Sequence, residues 1–258
     1  MNLPVYQKHI DVEIFPNAPI QEALIDIFAT LPPTVSLDAL ARYHEDVRDR
    51  FPIRRERSTW TQEFTVQPGQ QAQFAIQPQA IDGYLYVSEA DGKIVQARMD
   101  GFTVNKLRPY SDWRTFVAEA KELWDRYRTI ATPANVTKIA LRYINRIELP
   151  LPIADFRDYC LLFPEFPPKI PQSLAAFFLR FVTPIAEVPG AVTSTTLTFE
   201  PPGGKATLPL ILDIHAAQEF EVMDPASDML WSKMESLRTV KNDIFFESLT
   251  SKAKNLFR

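Results

Sequence analysis

The sequence predicts an α+β fold, in which antiparallel sheets carry long helices packed on one face. Apolar residues alternate in short stretches that hairpin signals connect, and three longer stretches repeat apolar residues at spacings of three and four. Both halves of the chain also give the same loose order of strand, helical passage, several strands and long helix. We therefore expect two pseudo-duplicated α+β halves, residues 1–133 and 134–258, with one compact unit as the alternative.

The first half begins with a strand over residues 19–29, in which apolar residues alternate. Ser36 is a typical N-cap for the helix that follows. Asp91-Gly92 predicts a two-residue hairpin turn, and Ser111 begins the strongest helical pattern of the chain. Short strands are expected between these two helices, at roughly 61–67, 72–78, 83–90, 93–99 and 101–107.

The second half opens with a strand over residues 138–149 and continues through a proline-rich passage with a helical turn near 154–162. A hairpin closed near Pro189-Gly190 and an apolar strand over 208–216 follow. The long helix after them has Asp224 or Ser227 as its N-cap, and a short last helix has Thr250 or Ser251. The long helix carries a stripe expected to face the core, which consists of Leu230, Met234, Leu237, Val240 and Ile244.

Composition narrows the function classes. The chain has a net charge of −4, so its overall charge does not indicate a nucleic-acid-binding protein. The chain has only seven glycines but 22 prolines. It contains neither GxGxxG nor GxxxxGK[ST], the glycine-rich motifs of phosphate-binding loops. The three histidines lie far apart and form no metal-binding pattern. We therefore expect no cofactor and no metal.

The sequence also indicates a location. Cys160 is the only cysteine, which excludes a disulfide within the chain and fits a reducing cytoplasm. The N-terminal stretch MNLPVYQKHIDVEIF lacks the pattern of a signal peptide. The most apolar stretch, residues 174–185, is too short to span a bilayer and contains Arg180. We expect a cytoplasmic protein without a transmembrane segment.

The strand IALRYINRIEL (139–149) holds the first candidate site. Asn145 interrupts its apolar row, and an unpaired buried amide costs about 1–3 kcal/mol. This asparagine either pins a neighbouring strand or serves as a polar handle in an apolar pocket. Arg142 and Arg146 have the opposite parity, which is typical of a solvated face and is also compatible with anion binding. We predict ligand or partner binding at Arg142, Tyr143, Asn145 and Arg146.

Two further candidates come from the charged residues. Asp213 and His215 share one side of a strand, so the aspartate could orient a general base, although no nucleophile motif accompanies them. The stretch RDRFPIRRERSTW is the most basic of the chain and ends in an aromatic residue. These arginines are either solvated surface residues or part of a binding site for single-stranded nucleic acid. Such a site would consist of Arg48, Arg50, Arg54, Arg55, Arg57 and Trp60.

Three stretches together carry a family resemblance, namely PIQEALIDI, LRYINRIELP and LDIH…LWSKMESLRTVKNDIFFESLT. With them, nearly the whole chain resembles a sporadically distributed bacterial protein family of about this length whose activity is not established. The resemblance implies a horizontally transferred gene and, by association, an accessory role such as phage defence. Arg142, Asn145 and residues 245–250 match the family pattern, and the resemblance implies no role for them.

We expect a non-enzymatic binding or sensor protein of a bacterial accessory system, which recognises a partner protein or a small ligand. One alternative is a nucleic-acid-binding accessory that uses the arginine cluster at 48–57. Another is a hydrolase built on Asp213 and His215. A homo-oligomer is a further alternative, because the apolar stripe on the last long helix could form a dimer interface as well as face the core.

Overall fold

The computed structural model describes residues 13–65, 73–163, 166–167, 169, 174–186, 188–201 and 206–258. Within them the strands are β1 (Ile20–Thr30), β2 (Ile53–Thr65), β3 (Gln73–Ser88), β4 (Lys93–Arg98), β5 (Gly101–Leu107), β6 (Asn135–Pro150), β7 (Phe178–Pro184), β8 (Ala191–Phe199) and β9 (Thr207–Met223). The α-helices are α1 (Leu37–Val47), α2 (Trp113–Ala131), α3 (Met229–Ser248) and α4 (Ser251–Lys254). Two short 3₁₀ turns cover Phe156–Asp158 and Asn255–Phe257.

All nine of these strands belong to one antiparallel sheet, in the order β2-β3-β4-β5-β1-β6-β9-β8-β7. The prediction of several antiparallel sheets with long helices packed on one face is therefore wrong. Among the described residues, strands take up more of the chain than helices do. The error has a physical cause, because an alternating pattern reveals a strand and its buried side but not the strand with which it pairs.

The middle of the sheet is the pairing of β1 with β6. Ile25 lies opposite Leu141, and Ile27 lies opposite Ile139. On its other side β6 pairs with β9, where Arg142 lies opposite His215. The two predicted halves, 1–133 and 134–258, thus share one sheet, because β1 of the first half pairs with β6 of the second. The division into halves stays a prediction.

Alternate residues of the central strands point to opposite sides of the sheet. The apolar side is buried in the core and includes Ala23, Ile25, Ile27, Ile139, Leu141 and Ala216. We call the other side the polar side; it includes Glu22, Asp26, Arg142, Arg146, Asp213 and His215. This division fixes which residues of β6 and β9 can meet helix α3, since that helix contacts both strands.

The polar side is itself partly buried. Arg98 is 4% exposed, and its guanidinium lies 2.9 Å from a carboxylate oxygen of Asp26. The guanidinium also donates a hydrogen bond to the Thr103 hydroxyl at 2.6 Å. A buried arginine of this kind needs such partners, because a buried charge without them is strongly destabilising.

The first two helices begin where polar side chains can cap them. The Ser36 hydroxyl accepts a hydrogen bond from the Ala39 N–H at 3.2 Å, as predicted for α1. Helix α2 begins one residue later than predicted, because the cap is Asp112 and not Ser111. The Asp112 carboxylate accepts a hydrogen bond from the Thr115 N–H at 2.8 Å.

Of the two predicted caps of α3, Ser227 makes the capping contact, because its hydroxyl accepts a hydrogen bond from the Met229 N–H at 3.2 Å. Asp228, which directly precedes the helix, makes no side-chain capping hydrogen bond, and the prediction of Asp224 is wrong. Asp224 accepts a hydrogen bond from the Ala226 N–H at 2.8 Å, so this side chain stabilises the turn before the helix. Ser227 lies in the same turn. For α4, the first of the two candidates is confirmed, because Thr250 is the N-cap.

The hairpin between β3 and β4 is confirmed, but its turn is longer than predicted. Ser88 lies opposite Lys93, so four residues, 89–92, connect the strands. Gly92 has a φ of 59°, which glycine adopts at little cost. Among the described residues, no helix has the length and apolar character that crossing a bilayer requires.

A glycine pair tests how tightly the sheet is packed. At Gly101, where φ is 149°, a Cβ atom would lie 2.1 Å from the Ile27 carbonyl oxygen and 2.9 Å from Arg98 Nη2. At Gly92 the nearest atom would be 3.5 Å away, so only the left-handed backbone opposes a side chain. We expect Gly101→Ala to lower the free energy of unfolding by at least about 3 kcal/mol, and Gly92→Ala by about 1–2 kcal/mol. Urea unfolding measures both, and equal losses would contradict the assignment of the clash.

Candidate functional site

A cavity of about 140 Å³ lies between strand β6, helix α3 and the segments that lead into β1 and α2. We call it the α3 cavity. Most of its wall is apolar or aromatic, and it includes Phe15, Trp113, Phe245 and Phe246. The polar residues deepest in the protein that line it are Tyr110, Tyr143, Asn145, Lys241 and Asn242. An apolar cavity with a few placed polar groups is the usual form of a small-molecule site.

Strand β6 supplies Tyr143 and Asn145 from its apolar side. Asn145 is 2% exposed. Its Nδ2 donates hydrogen bonds to the Leu212 carbonyl at 3.0 Å and to the Tyr143 carbonyl at 3.3 Å. Carbonyl groups only accept, which fixes the amide orientation. The Oδ1 atom has no hydrogen-bond donor among the described residues, so it is an acceptor in the wall of the cavity.

Helix α3 supplies Lys241, which is 8% exposed. Its Nζ lies 3.8 Å from the ring centroid of Tyr143, a cation–π distance. No hydrogen-bond acceptor or carboxylate partner of Nζ occurs in the described part of the chain. Burial lowers the pKa of Lys241 to about 7, and the charge of Arg238 contributes in the same direction. A buried amine of this kind is readily present in either protonation state near neutral pH.

The two tyrosines form a hydroxyl pair. Tyr110 Oη and Tyr143 Oη are 3.0 Å apart. Burial raises the pKa of Tyr110 to about 12 and raises that of Tyr143 as well. Both hydroxyls therefore keep their protons at neutral pH. The cavity thus combines neutral hydroxyls and an amide with one amine whose charge can change.

The four residues predicted on β6 do not share one site. Tyr143 and Asn145 line the α3 cavity, whereas Arg142 and Arg146 lie on the polar side. Arg142 makes a two-pronged ion pair with Asp213, with Nε–Oδ1 at 3.0 Å and Nη2–Oδ2 at 2.7 Å. Arg146 donates to Glu148 and to Glu200. Their roles in binding stay predictions.

The Asp213 and His215 pair lies on the polar side, as the strand parity predicts. An open depression of about 430 Å³ includes both residues together with Arg142. Burial lowers the pKa of His215, and the positive charges of Lys138 and Arg142 add to this effect. The carboxylate of Asp213 hydrogen-bonds to Arg142, which leaves the guanidinium and not the imidazole as its partner in the described residues. Catalysis at His215 stays a prediction.

Three of the five arginines in the cluster pair with acids. Arg50 pairs with Glu122 at 3.0 Å, and Arg55 pairs with Glu89 at 3.3 Å. Arg57 pairs with Asp82, and Arg54 lies over the ring of Tyr84 at 5.3 Å. Arg48 is exposed. The side chain of Trp60 lies outside the described part of the chain, and nucleic-acid binding by the cluster stays a prediction.

Lys241 is one of several cavity residues, with Tyr110 and Asn242, that the sequence pattern did not identify as site residues. The expected stripe on α3 ran through Val240 and Ile244, but the buried face of the helix continues through Lys241 and Phe245. Lys241 follows Leu237 by four positions, on the same helical face. A lysine at a core position of an amphipathic helix is the signal that could have found it.

Replacing Lys241 with methionine tests the burial of the amine. Between the folded pKa near 7 and the ordinary value of 10.5 the unfolded chain binds more protons, so stability rises with pH across that window. The cost of burial is therefore full below pH 7 and is lost as the pH approaches 10.5. We expect Lys241→Met to raise the free energy of unfolding by roughly 3–5 kcal/mol near pH 6 and by less than about 1 kcal/mol near pH 10.

Denaturant unfolding at several pH values measures this difference. Lys233→Met is the matched control, because Lys233 is partly exposed on the same helix and does not line the cavity. We expect its effect to be small and independent of pH. A stabilisation by Lys241→Met that does not change with pH would show that packing, and not the charge of the amine, accounts for it.

Comparisons with known proteins add no identity to this geometry. A scan against protein-family models gives no match to the chain, and a search of curated proteins gives no match either. The resemblance of the three stretches to a bacterial family stays a prediction. The α3 cavity is therefore the feature of the molecule that points to a function.

Proposed function

We propose that the protein is a non-enzymatic binding protein whose ligand is a small aromatic carboxylate, held in the α3 cavity. One observation carries the proposal: Lys241 lines the cavity and is only 8% exposed, and its Nζ has no hydrogen-bond acceptor among the described residues. A buried cation is stable only with an anionic or hydrogen-bonding partner. A ligand carboxylate is such a partner.

The size and lining of the cavity support an aromatic body for this ligand. The volume is about 140 Å³, and an apolar cavity of about 150 Å³ accepts benzene. The rings of Trp113, Phe245 and Phe246 line it and favour an aromatic face or edge. Asn145 Oδ1 would accept a hydrogen bond from a donor on the ring. A hydroxybenzoate has all three features.

The charge of Lys241 sets the expected pH dependence. A carboxylate binds to the protonated amine, whose fraction falls above pH 7. Each pH unit above that value therefore lowers the apparent affinity about tenfold. Binding at higher pH takes up one proton, and calorimetry in buffers of different ionisation enthalpy detects this uptake.

Benzoate and its three monohydroxy isomers are the probes that test the proposal. We expect isothermal titration calorimetry to show binding that Lys241→Met weakens by roughly 10–100-fold, the range for a charge-assisted hydrogen bond. The control Lys233→Met should bind as the unchanged protein does. Equal affinities of the unchanged protein and Lys241→Met, or an affinity that does not fall above pH 7, would contradict the proposal.

A second comparison isolates Asn145. The isomer whose hydroxyl reaches Asn145 Oδ1 should bind more tightly than benzoate by a few-fold to about tenfold. Asn145→Leu removes the acceptor, so we expect it to abolish the preference among isomers while benzoate still binds. Retention of the preference in Asn145→Leu would remove this residue from the site.

The wider setting of this binding protein is also a proposal. A cytoplasmic sensor of a bacterial accessory system, including phage defence, is compatible with a pocket that changes charge when it fills. A protein partner or a second copy of the chain could read that change. The nucleic-acid alternative has less support, because Arg50, Arg55 and Arg57 are already ion-paired.

A further inference from the structure

We propose that Lys241 also acts as a nucleophile and forms an imine with small aromatic aldehydes that enter the α3 cavity. This inference rests on the proposed function, because the aldehyde occupies the place of the carboxylate. It goes further in assigning a covalent chemistry to the cavity. The ligand class would be an aromatic aldehyde of the size of benzaldehyde, with or without a ring hydroxyl.

The surroundings of the amine are what a nucleophilic lysine requires. Lys241 is more than nine-tenths buried, and the aromatic face of Tyr143 lies 3.8 Å from Nζ. Among the described residues no carboxylate forms an ion pair with it, so no salt bridge must be broken before the amine reacts. Desolvation lowers its pKa to about 7, so that a large fraction is neutral at neutral pH. An exposed lysine at this pH is almost entirely protonated.

The other charged groups around the cavity form ion pairs or hydrogen bonds with residues other than Lys241. On α3, Arg238 pairs with Glu235 and adds positive charge near Lys241. Before α2, Asp112 caps the helix through Thr115.

Before β1, Glu13 pairs with Arg258. On β6, Tyr143 stays protonated, as does Tyr110 beside it. None of these groups offers Lys241 an ion pair, so the amine itself is the group whose titration controls the reaction.

The reaction needs only the aldehyde and the neutral amine. Nζ attacks the carbonyl carbon, a C–N bond forms, and one amine proton moves to the oxygen to give a carbinolamine. The C–O bond then breaks, the oxygen leaves as water with the second amine proton, and the C=N bond forms. Atoms and charge balance, and no oxidant or reductant is involved. The apolar wall favours the imine, since it limits the water available for the reverse reaction.

The two ligand classes should respond to pH in opposite ways. The carboxylate needs the ammonium form of Lys241, so its affinity falls above pH 7. The aldehyde needs the neutral amine, so the rate of imine formation should rise with pH and level off above pH 7. This opposition distinguishes reaction at Lys241 from reaction at exposed lysines, whose rates continue to rise towards pH 10.

The test uses the whole protein with 4-hydroxybenzaldehyde, with cyanoborohydride present to reduce the imine to a stable secondary amine. We expect intact-mass spectrometry at pH 7 to show one adduct per chain, and peptide mapping to place it on Lys241. Lys241 should be labelled at least about tenfold faster than any other lysine. Lys241→Met should lose this adduct, and Lys233→Met should keep it.

Benzoate supplies a test that does not depend on a variant folding correctly. It should protect Lys241 of the unchanged protein from labelling, because both ligands need the same cavity. Labelling of Lys241 no faster than that of exposed lysines, with benzoate still bound as proposed, would overturn the imine and leave the carboxylate function standing. Absence of both labelling and benzoate binding would overturn both proposals.

Discussion

The antiparallel pairing of β1 with β6 is the constraint on which the rest of the structure depends. It joins the strands β2-β3-β4-β5-β1 to the strands β6-β9-β8-β7 in one sheet, with Ile25 opposite Leu141. It also fixes the parity of β6, because a shift by one residue would exchange the two sides of the strand. Only in this register do Tyr143 and Asn145 lie beneath α3 while Arg142 lies on the polar side.

That register places polar groups where burial is expensive. Asn145 recovers part of the cost through hydrogen bonds to the Leu212 and Tyr143 carbonyls. Lys241 recovers little, since a cation–π contact with Tyr143 is weaker than an ion pair. A methionine at this position would pack without that cost. Local departures of this kind, in which stability is lost without a structural gain, are typical of functional sites.

The sequence predicted local features better than it predicted their arrangement. The amide of Asn145 stands out in an apolar row, and the structure places it in a cavity wall, where its Oδ1 has no hydrogen-bond donor among the described residues. The single sheet could not be predicted, because alternation in β1 and β6 does not encode their pairing. The sequence did not predict Lys241, because the apolar residues of α3 favour a buried face through Val240 and Ile244. The cavity itself arises from segments far apart in the chain, and no local pattern contains that information.

Lys241 has no counter-ion among the described residues, and this gives the α3 cavity a property that a preformed ion pair would lack. With an acid beside it, the lysine would stay charged, and a carboxylate ligand would have to displace that acid. Without one, burial lowers the pKa of the amine to about 7, so both protonation states are accessible near neutral pH. On the proposals made here, a carboxylate would bring a proton into the cavity, whereas an aldehyde would consume the neutral amine. Under both proposals the same nitrogen would respond to two ligand classes through opposite changes in its protonation, because one class needs the ammonium form and the other the neutral amine.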